Sequence, residues 1–186
     1  MKPFLVSFPP EMSMFLASTT ARHTLAALAL ATLLAACGGG GDDSVAAGGG
    51  SLTLSATTPA ALATTIDLST ATAKGTNGRA ADGFSSVPYC EIFWENANGA
   101  NGKKYAVQVY YRQDNKQAMH VSVFEVTTAW GAYDNNSGAS ITGITVDTTA
   151  RTAVFNNKVL AGAAGESGTM AGTASFGSST TAACGA

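Results

Sequence analysis

Lys104-Tyr105-Ala106-Val107-Gln108-Val109-Tyr110-Tyr111-Arg112, followed after five residues by Ala118-Met119-His120-Val121-Ser122-Val123-Phe124-Glu125-Val126-Thr127, is the stretch from which the fold class follows. Both runs alternate and are rich in Val and Tyr, the pattern of two paired, half-buried strands. A short Asp114-Asn115-Lys116 loop, with Gln113 opposite Gln117, sets Tyr111 against Met119, Val109 against Val121 and Val107 against Val123. The other face then pairs Tyr110 with His120, Gln108 with Ser122 and Ala106 with Phe124. A slip of one residue would divide the apolar set between two faces. This register therefore predicts a tight hairpin with Asn115 or Lys116 near the left-handed region.

The same reading extends outward. Gly143 to Asp147 and Arg151 to Phe155 flank Thr148-Thr149-Ala150 and predict a second hairpin, with Asp147 facing Arg151, Val146 facing Thr152 and Ile144 facing Val154. Lys158 to Leu160 extend its second strand. Thr169 to Phe176 is a final strand alternating through Met170, Ala174 and Phe176. On the N-terminal side, Phe84 to Glu95 carries Val87, Tyr89, Ile92, Phe93 and Trp94, with Pro88 confining its first half to an edge or bulge. Asn96 to Gly102 and Trp130 to Gly138 read as loops. No segment has the period of a long amphipathic helix. Closely spaced hairpins without βα alternation predict an all-β domain over residues 83–186, a small antiparallel β-sandwich or open barrel built of hairpins.

Residues 37–82 read differently. Gly38 to Gly50 is Gly-rich with Asp42, Asp43 and Ser44, a composition that buries no core and predicts a flexible tether. Its roughly 13 residues would span on average about 20 Å. Ser51 to Ala73 alternates weakly at Leu52/Leu54 and Ile66/Leu68, so it supplies one or two strands or prolongs the tether. Lys74 to Gly83 has the Gly75, Asn77-Gly78 and Asp82-Gly83 punctuation of turns.

Upstream, Thr24 to Ala36 is an uncharged run of Leu, Ala and Thr behind Arg22 and His23, of signal-peptide length and too short to span a bilayer. It ends in Leu34-Ala35-Ala36-Cys37, which resembles the lipobox of bacterial lipoproteins in full. The resemblance implies that residues 1–36 are a signal peptide removed by signal peptidase II, and that Cys37 becomes an acylated N-terminus. Two or three acyl chains anchor persistently where one holds only marginally. Gly38 stands where that family uses Asp for inner-membrane retention, so the resemblance implies the outer membrane. The expected partners are then membrane lipid and the lipoprotein processing and sorting machinery. An ordinary secretory signal followed by a chance cysteine is the alternative. Met12 and Met14 are candidate starts that would shorten the long segment before the run.

With Cys37 acylated, Cys90 and Cys184 remain, and an oxidising compartment offers them one pairing. The bridge would close about 95 residues and contribute at most roughly 4–5 kcal/mol by loop entropy. Two free thiols, or a metal pair with no nearby His, are the other readings. Twelve acids against ten bases, with no cluster, argue against nucleic acid and against a basic membrane-surface patch. Nothing calls for a cofactor.

The candidate chemistry is sparse. His120 is the one His beyond the signal and sits mid-strand, and no Gly-x-Ser-x-Gly elbow is present. Glu91, Glu95 and Glu125 would serve a carboxylate-based hydrolase only if two shared a face at about 5–9 Å. Asp134 to Gly138 has oxygen ligands but not the spacing of a calcium loop, which favours an Asn/Gly turn. Trp94, Trp130, Tyr110 and Tyr133 could form an aromatic platform. Trp94 reads as core, while Trp130 and Tyr133 beside a polar loop are the candidates for an exposed glycan- or peptide-binding patch. The expected function is a non-enzymatic structural or binding module, with a glycan- or peptidoglycan-binding module as the alternative.

Overall fold

A computed structural model describes residues 49–179 and 181–185. Cys37, the signal segment and the tether through residue 48 lie outside the described residues. Ten strands follow in order: β1 (Gly50–Thr58), β2 (Thr64–Asp67), β3 (Ala73–Arg79), β4 (Tyr89–Gly99), β5 (Lys104–Arg112), β6 (Ala118–Glu125), β7 (Gly131–Asn135), β8 (Ile144–Asp147), β9 (Thr152–Ala161) and β10 (Ser167–Ser175). The fold is all-β and antiparallel. Neighbours run β10-β1-β2-β4-β5-β6-β7-β9, and β9 pairs back onto β10, so eight strands close a barrel. Full closure removes the open edges that an isolated sheet would expose. Beyond the ring, β3 pairs with β4 and β8 with β9.

Alternation along the strands decides what faces inward. Leu52 and Leu54 of β1, Trp94 of β4, Tyr105, Val107, Val109 and Tyr111 of β5, and Val121 and Val123 of β6 are buried together with Met170 and Ala174 of β10. The interior is a packed core and not a channel. Trp94 lies fully inside, as expected, and its indole nitrogen donates to the Ser175 carbonyl at 3.0 Å.

The barrel has two unlike poles. At one, the connections β1–β2, β4–β5, β6–β7 and β9–β10 come together. At the other, β1 begins at Gly50 and the C-terminal tail folds back. Ser179 there bridges to Thr76 of β3, and Cys184 is joined to Cys90 of β4. The expected disulfide is present, with a Cα–Cα separation of 5.7 Å across 94 residues of sequence.

Several boundaries and registers differ from the sequence expectations. The β-domain is not confined to residues 83–186: three strands precede residue 83. Residues 51–73 supply both β1 and β2, and β3 replaces the turn expected over Lys74 to Gly83. Weak alternation suffices in β1 because β10 and β2 pair with it on both sides. The loop expected over Asn96 to Gly102 is shorter, because β4 continues to Gly99 across a bulge with Asn96 at φ 57°.

In the central hairpin every expected pair from Ala106–Phe124 to Tyr110–His120 is found, but Tyr111 faces Ala118 and not Met119. A bulge absorbs the extra residue, with Lys116 at φ 61° in the turn. Met119 is fully buried, 3.8 Å from the Ser85 hydroxyl. In the second hairpin the register is shifted by one. Ile144 faces Phe155, Val146 faces Ala153 and Asp147 faces Thr152. The expected pairing of Ile144 with Val154 fails because Val154 points outward, 42% exposed, while Ile144 is buried.

Candidate functional site

The first pole carries a cavity of about 540 Å³. Its wall takes Thr58, Pro59 and Leu62 from the β1–β2 connection, Lys103 from β4–β5, Trp130 from β6–β7 and Glu166 from β9–β10. Each connection reaches the cavity for a local reason. A 3-10 turn over Ala60–Leu62 drops Leu62 into the core, leaving Ala61 exposed. Gly165 takes φ 91° in the β9–β10 turn, and Glu166 closes that turn by accepting the Ala164 amide at 2.8 Å.

Trp130 is 6% exposed, and its indole nitrogen donates to the Thr58 carbonyl at 2.8 Å. The bond ties the β6–β7 connection to the β1–β2 connection. The Tyr105 hydroxyl, further in, donates to the Leu62 carbonyl at 3.2 Å. The polar atoms of both aromatic side chains are thus engaged within the protein, and Trp130, Leu62, Pro59, Ala61, Ala129 and Ala164 give the cavity a mainly apolar wall. Such volumes and linings are typical of small-molecule sites, which in β-barrels sit at the mouth.

Glu125 lies inside the barrel at this pole, 1% exposed and opposite Tyr105. The hydroxyls of Thr128 and Thr127 hold its carboxyl below the usual range. Its Oε1 accepts the Thr127 hydroxyl at 2.7 Å, and its Oε2 is buried without a partner among the described residues.

A second cluster occupies the outer face of β4, β5 and β6. The rings of Tyr110 and His120 lie 4.8 Å apart, with Phe84 edge-on to them at 5.0 and 5.2 Å. Tyr89 donates its hydroxyl to Asp82 at 2.9 Å, and Asp82 also accepts the Phe84 and Ser85 amides. Those bonds hold its carboxyl below the usual range, and burial pushes the Tyr89 hydroxyl up to about 12. Arg79 bonds Glu91 at 2.8 Å. His120 is 8% exposed with Nδ1 unpartnered among the described residues, and burial lowers its pKa to about 4. The Asp82–Val87 connection thus straps an aromatic cluster against the sheet.

The residues singled out from sequence fall in separate places. Trp130 and Tyr133 do not form the expected exposed patch. The loop expected from Trp130 is strand β7 after its first residue, so Trp130 and Ala132 turn inward while Tyr133, 42% exposed, turns outward. Glu125 points into the barrel, whereas Glu91 and Glu95 lie on the outside of β4, about 13 Å apart along the strand. His120 keeps its expected place opposite Tyr110. Asp134 pairs with Lys158, and among the described residues no three His, Cys, Asp or Glu side chains gather in a metal-holding group. The mouth was not read from sequence, because its parts lie on four loops distant in the chain. The only local signals were Pro59 after a strand-like run and Trp130 before a polar stretch.

Comparison with known proteins gives no match to a family model, a curated protein or a solved structure. The fold and site define the molecule as a disulfide-closed antiparallel barrel with an apolar mouth.

Proposed function

We propose that this chain is an outer-membrane-anchored lipoprotein whose barrel is a non-enzymatic binding module, receiving a small ligand at the mouth. One observation carries the reading. Four connections converge over Trp130 at the pole opposite Gly50, where the tether from Cys37 enters. Attachment through Gly50 leaves the mouth at the opposite pole of the barrel. The lipobox supports the anchor. The Cys90–Cys184 bridge supports an exported setting, since disulfides persist in oxidising compartments.

The test has two arms. The intact mass of the protein extracted from membranes should begin at Cys37 and include acyl groups, and Cys37→Ala should release or misprocess it. An unacylated mature form would remove the anchor. For the mouth, Ala61→Trp fills the cavity from an exposed position. Loss of small-molecule binding in that variant, with the barrel intact, supports the site.

Glycan or peptidoglycan binding is the second reading, favoured by Tyr133 at 42% and Phe124 at 40% exposure near one another on the outer face of β6 and β7. Retention on isolated cell-wall material that disappears in Tyr133→Ala would establish it. Absence of retention would remove it.

A further inference from the structure

Resting on the mouth as the binding site, we infer that its ligand is a small carboxylic acid with an apolar body, held by Lys103 with its rings or chain against Trp130 and Leu62. Several polar atoms at the mouth are already occupied. The Trp130 indole nitrogen is used by Thr58, and the Thr128 hydroxyl accepts the Trp130 amide at 3.3 Å. One oxygen of Glu166, Oε2, accepts the Ala164 amide of its own turn. Glu125, deeper in the barrel and not on the cavity wall, accepts from Thr127 through Oε1, and its Oε2 is buried without a partner among the described residues. The Lys103 ammonium, half-buried on the cavity wall, has no hydrogen-bond or ion-pair partner among the described residues. The wall therefore offers one unpaired cationic donor beside an extended apolar surface. A ligand that satisfies both brings an anionic acceptor and carbon.

The nearby carboxylates restrict the charge. Glu125 lies within electrostatic reach of Lys103, and Glu166 shares the cavity wall. One negative side chain within reach of the ammonium and a second on the same wall penalise a dianion such as a phosphate monoester, while a single carboxylate pairs with Lys103 without a second charge to place. The volume of about 540 Å³ has room for a one- or two-ring acid or a branched aliphatic one.

The experiment uses the full processed chain in detergent micelles, with 3-phenylpropionate, its neutral amide, 3-phenylpropylamine and phenyl phosphate as probes in ligand-observed saturation-transfer NMR. Ala61→Trp in the same micelles supplies the blank for partitioning. The acid should bind more tightly than the amide and than phenyl phosphate by at least about tenfold. Lys103→Met should abolish the preference for the acid over the amide. Ala61→Trp should remove all binding. Equal binding of acid and amide, both lost in Ala61→Trp, would overturn the carboxylate assignment and leave the mouth as a site. Tighter binding of 3-phenylpropylamine than of the acid would overturn it in favour of Glu125 or Glu166 as the recognising group. Binding of no probe above the Ala61→Trp blank would overturn both the assignment and the mouth.

Discussion

The Tyr111 hydroxyl donates to the Cys184 carbonyl at 2.7 Å, beside the bond from Cys184 to Cys90. The end of the chain is thus fastened to the barrel interior by a covalent link and a buried hydrogen bond at one place. Burial raises the Tyr111 pKa, so the phenol stays a donor at any pH of interest. Lys116 adds a bond from its ammonium to the Ala183 carbonyl. Replacing both Cys90 and Cys184 by Ala should cost about 2–4 kcal/mol, chiefly by freeing the unfolded chain. Tyr111→Phe alone should cost about 1–3 kcal/mol, because the Cys184 carbonyl is left buried and unpaired. The two effects should not add. Once the bridge is gone the tail can lift and hydrate its carbonyl, so Tyr111→Phe should cost less in the Cys-free background. A urea-denaturation double-mutant cycle measures this, and strict additivity would show that the tail stays docked without the bridge.

Trp130 holds the mouth in shape. Trp130→Ala should destabilise by about 3–5 kcal/mol, through lost burial and the space left against Leu62. Trp130→Phe retains most of the apolar contact but frees the Thr58 carbonyl. That carbonyl lies on an exposed residue, so water replaces the indole and the cost should be near 1 kcal/mol. Thermal unfolding ranks the two variants. Equal losses would mean that the bond from Trp130 to Thr58, and not packing, organises the mouth.

What could be read in the sequence was what period and composition express locally. Alternation in β5 and β6 specified the five consecutive pairs from Ala106–Phe124 to Tyr110–His120 because one face is wholly apolar. It failed at Tyr111, where Met119 is apolar but belongs to a bulge, a distinction that hydrophobicity does not carry. It failed again at Val154, an outward Val that imitates a core residue. The early strands were obscure because Thr, Ala and Ser alternate weakly in β1 and β2, and Gly75 and Gly78 of β3 look like turn residues. Pairing along β4 settles β3, and that information is non-local. The mouth was illegible for the same reason: Lys103, Trp130 and Glu166 become neighbours only when the ring closes.

The shifted second hairpin makes a prediction about Arg151. The connection is one residue longer than expected, and Arg151 takes φ 53° to close it. Asp147 supports the turn by accepting the Thr149 and Ala150 amides at 2.9 Å. A non-glycine residue in the left-handed region is strained, and β-branched residues are strained most. Arg151→Gly should be neutral or stabilise by up to about 1 kcal/mol, with the gain partly offset by a more flexible unfolded chain. Arg151→Val should destabilise by about 1–2 kcal/mol. Chemical denaturation of the pair tests the register: equal behaviour of Gly and Val would mean that residue 151 is not in that conformation.

His120 should make the barrel acid-sensitive in a defined window. Burial depresses its pKa to about 4, with Asn135 and the Asp134 charge pulling weakly the other way. Phe84 and Tyr110 close over the ring. In the unfolded chain the imidazole titrates near 6.5. Between the two values the unfolded state binds a proton that the folded state does not, so stability rises with pH there. The contribution is complete above about 6.5 and is lost as pH falls toward 4, by roughly 3 kcal/mol in total. Asp114, held at about 2 by Arg112, and Asp82 and Glu125, whose pKa values are also lowered, act only at lower pH. Their stabilisation is present above the unfolded carboxylate range and disappears as pH falls through their folded values. The interval from about 6.5 to 5.5, above the unfolded carboxylate range, therefore isolates His120. His120→Phe, which keeps an aromatic ring against Phe84 and Tyr110, should flatten the curve there and leave the steeper loss at lower pH unchanged. Urea midpoints at half-unit pH steps decide it. A slope that persists in His120→Phe would assign the acid sensitivity to another group.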